Sequence, residues 1–106
     1  MKHLKHDEFD EIINRDELTV VDFSATWCMP CRMLRPILEK LEKEQGVSVY
    51  EVDVQESEQI AMRYRIFSVP TIVCFKKGKK IDNLVGANPY DEVLDFINRA
   101  KLTEVE

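Results

Sequence analysis

The 106-residue sequence has no apolar stretch of membrane-spanning length, and Met1 to Asp7 lacks the apolar core of a secretory leader. A cytoplasmic location without membrane partners is therefore expected. It has no excess of positive charge either. Fifteen basic side chains face twenty acidic ones, a net charge of −5, which argues against nucleic acid as a partner. No linker, internal repeat or low-complexity tract interrupts it, so residues 1–106 are expected to form a single domain. Cysteine is scarce and odd in number. Three of them fit poorly with a secreted disulfide framework, and no second ligand pair stands at a spacing that would complete a structural zinc site. There is no Gly-x-Gly-x-x-Gly fingerprint, so nicotinamide chemistry would have to belong to another protein.

What is present is an ordinary globular balance, 44% hydrophobic and 33% charged, in a chain long enough to bury a core. Phe9, Ile12 and Ile13 after Asp7 predict a short first helix. The β-branched run Leu18 to Ser24 predicts a buried strand. Leu34, Ile37, Leu38 and Leu41 recur as one apolar helix face, ending near Gly46, with Pro36 expected to kink that helix. Val47 to Val54 predicts the next strand, and Ser57 a cap for a short helix carrying Ile60, Ala61 and Tyr64. Thr71 to Phe75 and Ile81 to Val85 flank Lys76-Lys77-Gly78-Lys79-Lys80, a hairpin whose lysines are expected to be solvated. Asn88 as cap and Pro89 in first position open a last helix with Tyr90, Val93, Leu94 and Ile97 on its apolar face. Strands alternating with helices, then a hairpin and a helix, define an α/β architecture around a mixed sheet.

The chemistry concentrates at Trp27-Cys28-Met29-Pro30-Cys31, directly after the first buried strand. Two residues between cysteines let the sulfurs close a small disulfide ring or stand open as a dithiol, and at a strand–helix junction this spacing reads as a redox motif. A thiolate is the attacking species, and the unpaired N–H groups and positive dipole end of a helix N-terminus stabilise one. Cys28, just ahead of the apolar helix pattern, is the expected nucleophile. Cys31, one turn inside, is the expected shielded, resolving thiol. Asp22, an acid inside an apolar strand, is the candidate base for the proton of Cys31, because burial raises a carboxyl pKa toward neutrality.

Val21-Asp22-Phe23-Ser24-Ala25-Thr26-Trp27-Cys28, Pro30-Cys31 and the later Val69-Pro70-Thr71 closely resemble the thioredoxin family, over nearly the whole chain. The resemblance implies the thioredoxin fold, a central mixed β-sheet with helices on both faces. It also implies reduction of protein disulfides through a Cys28–Cys31 cycle, with a lowered pKa at Cys28 and Asp22 as the family's buried acid. It places Pro70 as a cis-proline facing the cysteines, with the backbone of Val69 open to an extended substrate. Trp27, Met29, Pro30, Gly86 and Ala87 would complete that groove. No cofactor would be bound. A thioredoxin reductase using flavin and NADPH would recharge the pair, disulfide-containing proteins would be the clients, and the chain would act as a monomer.

Some positions depart from that pattern or have plainer readings. Met29 replaces the glycine most familiar between these cysteines, so the redox potential does not carry over. Glu51 stands where relatives often carry a lysine near the buried acid, and its side chain is expected to turn to water rather than toward Asp22. Cys74 reads as a small buried hydrophobe. The spacing His3-x-x-His6 can ligate metal, but in a terminus expected to be mobile and without further ligands it predicts no site. Two alternatives remain open at this point: a module that binds clients according to its redox state, and an oxidising or isomerising relative of the same fold.

Overall fold

The computed structural model describes residues 1–105. The elements run β1 (Lys2–His3), α1 (Phe9–Ile13), β2 (Thr19–Ser24), α2 (Met29–Gln45), β3 (Ser48–Asp53), α3 (Glu58–Arg63), β4 (Thr71–Lys76), β5 (Lys79–Val85) and α4 (Tyr90–Leu102). The sheet order is β1-β3-β2-β4-β5. The pairings β1–β3 and β3–β2 are parallel; β2–β4 and β4–β5 are antiparallel. This is the mixed sheet of the α/β expectation.

Alternation along the strands divides the interior into two cores. Val20, Val49, Ile72 and Cys74 point to the face covered by α2 (Leu34, Leu38, Leu41) and α4 (Val93, Phe96, Ile97, Ala100). Val21, Phe23, Val52, Val73 and Phe75 point to the other face, under α1 (Phe9, Ile13) and α3 (Ile60). There Phe9, Phe23, Tyr64 and Phe75 form an aromatic cluster, with Phe9 edge-on to Phe75 at 5.6 Å. Asp22 follows Val20 on β2, and Glu51 follows Val49 on β3, so both acids face α2 and α4 rather than solvent.

Local chemistry explains most boundaries and corrects two of the predicted caps. Helix α2 runs unbroken through Pro36 to Gly46, whose φ of +64° ends it in the left-handed conformation that glycine adopts freely. The last helix starts one residue later than predicted. Pro89 takes the cap position, and Asn88 instead donates from Nδ2 to the carbonyls of Val85 and Gly86, bracing the preceding turn. Ser57 stands at the cap of α3, but its buried hydroxyl makes no hydrogen bond there.

The first residues are docked, not mobile: Lys2 and His3 pair with Tyr50 and Glu51, Leu4 N–H donates to the Glu51 carbonyl at 2.8 Å, and Leu4 is fully buried. Nothing in a charged dipeptide announces a strand; the free edge of β3 imposes it. The lysine hairpin is likewise more than a solvated turn. Lys77 and Gly78 both have positive φ, and their N–H groups donate to the carbonyls of Arg15 and Ile13 at 2.8 and 2.9 Å, tying the turn to the end of α1. A Cβ on Gly78 would lie 2.9 Å from Asn14 Oδ1, so the close approach also asks for glycine there.

Candidate active site

Strand β2 delivers the chain to the C-terminal end of the parallel strands, where Ala25 to Trp27 turn it into α2. Cys28 occupies the cap position with an extended backbone, and its Sγ accepts the N–H of Cys31 at 3.2 Å. A sulfur thus takes the place of the serine or aspartate oxygen that ordinarily satisfies an orphan N–H at a helix start. Met29 and Pro30 fill the first helical positions, where the missing N–H of proline removes no helical bond. Arg32 Nη2 donates to the Thr26 carbonyl at 3.0 Å, which closes the loop around the pair.

The two cysteines are equally sheltered, at 4% and 5% exposure. The sequence reading expected an open Cys28 and a shielded Cys31. Instead Ala25, Val54 and Val69 pack around both sulfurs. Cys28 Sγ lies 3.7 Å from the Val69 carbonyl, to which its thiol donates. Apolar packing, a backbone carbonyl and a backbone N–H thus meet at this sulfur at the start of α2. Around this sheltered centre the surface is apolar and open: Trp27 is 65% exposed and Met29 is exposed too.

Val69–Pro70 is a cis peptide bond. Val69 is half-buried against the cysteines, Pro70 is buried, and the Pro70 carbonyl accepts the Gly86 N–H at 2.8 Å, so the loop carrying Gly86 and the exposed Ala87 is fastened to it.

Asp22 is fully buried, and neither carboxylate oxygen has a hydrogen-bond partner. Desolvation pushes its pKa from 3.8 up to about 7; the Glu51 charge adds to the rise and Arg35 opposes it. Glu51 is the in-register neighbour of Asp22 on β3. It does not turn freely to water as expected. Its Oε2 pairs with Arg35 Nη1 at 2.7 Å, leaving the side chain 21% exposed. Arg35 lies four residues after Cys31, on the same face of α2, a spacing legible in the sequence that was not used there. Cys31, Arg35 and Glu51 line one cavity, together with His3, Asp53 and Glu56.

Cys74 is fully buried on β4, and burial pushes its thiol up to about 12, so it is apolar filling. Among the described residues no cluster of three or more histidine, cysteine or acidic side chains is placed to hold a metal ion. Also among them, no helix is long and apolar enough to cross a membrane.

A cysteine capping a helix, a second cysteine one turn in, a cis-proline loop packed against them and a buried acid on the strand that leads into them define a thiol–disulfide oxidoreductase on the thioredoxin fold. The thioredoxin family model matches residues 1–99. Similar proteins include the thioredoxin of Malassezia sympodialis, 45% identical over 87 residues that span 79% of this chain and 83% of that protein. Thioredoxin-1 of Saccharomyces cerevisiae is 45% identical over 83 residues, 77% of this chain and 81% of that one. The X-ray structure of Fasciola hepatica thioredoxin shares 38% identity and superposes with a TM-score of 0.87, covering 95% of this chain and all of that one. The chain belongs to the thioredoxin family, whose activity is the reduction of protein disulfides.

Proposed function

We propose that Cys28 is the nucleophile of this oxidoreductase, Cys31 the resolving thiol and Asp22 the base that takes its proton. The carrying observation is the 3.2 Å hydrogen bond from Cys31 N–H to Cys28 Sγ at the start of α2. The Cys28 thiolate attacks one sulfur of a client disulfide. A Cys28–client bond forms and the other client sulfur leaves as a thiolate, which water protonates. Cys31 then gives its proton to Asp22 and attacks Cys28 Sγ. The Cys28–Cys31 bond forms, the second client sulfur departs, and two electrons have passed to the client. With a pKa raised to about 7, Asp22 is both ionised enough to accept a proton at neutral pH and basic enough to hold it.

Trp27, Met29, Pro30, the backbone of Val69, Pro70, Gly86 and Ala87 form the client groove, which an extended segment enters by pairing with Val69. The protein works as a monomeric single domain over residues 1–106, in the cytoplasm, binding no cofactor of its own. A thioredoxin reductase holding flavin and NADPH returns electrons to the oxidised pair.

The test is turbidity as dithiothreitol reduces insulin, whose freed chains precipitate. Catalytic amounts of the protein should accelerate the onset, and Cys28→Ser should abolish the effect. No acceleration by the unaltered chain would leave only a binding module. Trapping separates the roles further: Cys31→Ser should accumulate the Cys28–client mixed disulfide, and failure to do so would remove Cys28 as the nucleophile.

A further inference from the structure

Asp22 is fully buried, and as the base proposed for Cys31 it would gain a proton and lose it again in each turnover. The structure contains a row of titratable side chains that leads outward from it. His3, Glu51 and Asp22 are consecutive in-register partners across β1, β3 and β2, so their side chains share the α2 face of the sheet. Exposure rises along the row. Asp22 is fully buried, the Glu51 side chain is 21% exposed, and the His3 side chain is 42% exposed. The imidazole stands between two carboxylates: Nδ1 is 3.8 Å from Glu51 Oε1, and Nε2 is 3.1 Å from Glu56 Oε1 on the outer side. One ring nitrogen therefore faces Glu51 and the other faces Glu56, whose side chain is 48% exposed, the arrangement by which an imidazole passes a proton from one side to the other. Cys31 opens onto the same cavity as His3, Glu51 and Glu56.

We propose that the row Asp22–Glu51–His3, ending at Glu56, is the proton exit of the dithiol exchange, with His3 as its outer relay. This rests on the reading of Asp22 as the base for Cys31. The proton leaves Cys31 Sγ for Asp22 as the Cys28–Cys31 bond forms. It then passes by way of Glu51 to His3, and from His3 to bulk, which supplies the proton that the departing client thiolate takes up. No electrons move along the row. His3 is a positioning and relay residue, not one that touches the client. The surroundings suit such a group. The hydrogen bond from Glu56 raises the His3 pKa above its ordinary value, the charges of Glu51 and Asp53 add to the rise, and the partial burial opposes it. Two cations line the same cavity, Arg32 and Arg35. Arg35 is held on Glu51 Oε2 at 2.7 Å, which leaves Oε1 to face the imidazole. The pairing of β1 with β3 is what places His3 beside Glu51.

The experiment follows resolution of a Cys28 mixed disulfide with a fluorescent peptide thiol, by stopped flow, in weakly buffering solution across neutral pH. His3→Gln, which keeps the backbone pairing of β1, should slow resolution by about tenfold, less than the roughly hundredfold or more expected for loss of a group that takes the proton directly. Added imidazole should restore the rate. Glu56→Gln, with His3 in place, should move the pH profile of resolution to lower pH without lowering its maximum. A His3→Gln rate equal to that of the unaltered chain, or a Glu56→Gln pH profile that does not move, would overturn the relay. A slowed His3→Gln variant that imidazole does not rescue would overturn it as well, because a lost structural contact is blind to buffer. If Asp22→Asn resolves as fast as the unaltered protein, the reading of Asp22 fails and the relay with it; normal slowing there with normal His3 variants sinks the relay alone.

Discussion

Replacing Asp22 by Asn removes an ionisable group from a site where its charge has no partner, and the consequence is a change in how stability depends on pH. In the folded chain the Asp22 pKa is raised from 3.8 to about 7. Between those two values the native state keeps a proton that the unfolded state has lost. Stability therefore falls as pH rises from about 4 to 7, and is level above. At about 1.4 kcal/mol per unit, the full difference is a little over 4 kcal/mol, and about 3 kcal/mol of it is lost between pH 4.5 and pH 8. Asparagine does not titrate, so the variant lacks this slope even though its amide is also buried without partners. The assay is urea unfolding of the oxidised protein, in which Cys28 and Cys31 do not titrate, at a series of pH values for both chains. The unaltered protein should lose about 3 kcal/mol more than Asp22→Asn on going from pH 4.5 to pH 8. Parallel stability curves would refute the reasoning, since they would mean that Asp22 has an ordinary carboxyl pKa despite its burial.

The Arg35–Glu51 pair tunes this same group. Glu51→Gln should move the Asp22 titration to lower pH and Arg35→Met to higher pH, read as opposite displacements of that stability slope. Movement in the same direction would exclude a charge effect. Met29→Gly should change the Cys28/Cys31 reduction potential measured against glutathione, or the affinity for a client peptide; no change in either would make Met29 a neutral occupant of an exposed position. Cys74, buried with its thiol pushed up to about 12, should resist iodoacetamide in the native protein at pH 8 and react only on unfolding. Labelling of Cys74 without unfolding would show that β4 opens.

Where periodicity and turn chemistry agreed, the sequence predicted the structure closely. Leu34, Leu38 and Leu41 mark the buried stripe of α2, and Gly46 ends it because the chain must reverse there through a positive φ. The cysteine pair was legible for a similar reason: its chemistry depends on spacing within one helical turn, which is a local property. The equal shelter of Cys28 and Cys31 was not. It comes from Val69 and Val54, contributed by segments distant in sequence. The same holds for Glu51. Its partner Arg35 sits on another element, and only the packing of α2 over β3 brings guanidinium and carboxylate together. The strand β1 carried no pattern, because two polar residues pair where an edge is available and not because of their own propensity. Asn88 shows a subtler miss. A residue suited to cap α4 serves the turn before it, since the carbonyls of Val85 and Gly86 compete for the same amide.

The proposed chemistry requires Cys28 Sγ to be anionic at neutral pH although it is almost wholly enclosed. Its ionisation can be read directly from the rate of carbamidomethylation of Cys28 in the reduced protein as a function of pH, with peptide mass mapping to confirm the site. Helix-end stabilisation predicts that the rate reaches half its plateau well below the pKa of an ordinary thiol, about 8.5, and that Cys28 is modified before Cys31. A titration coinciding with that of free glutathione, or first modification at Cys31, would contradict it.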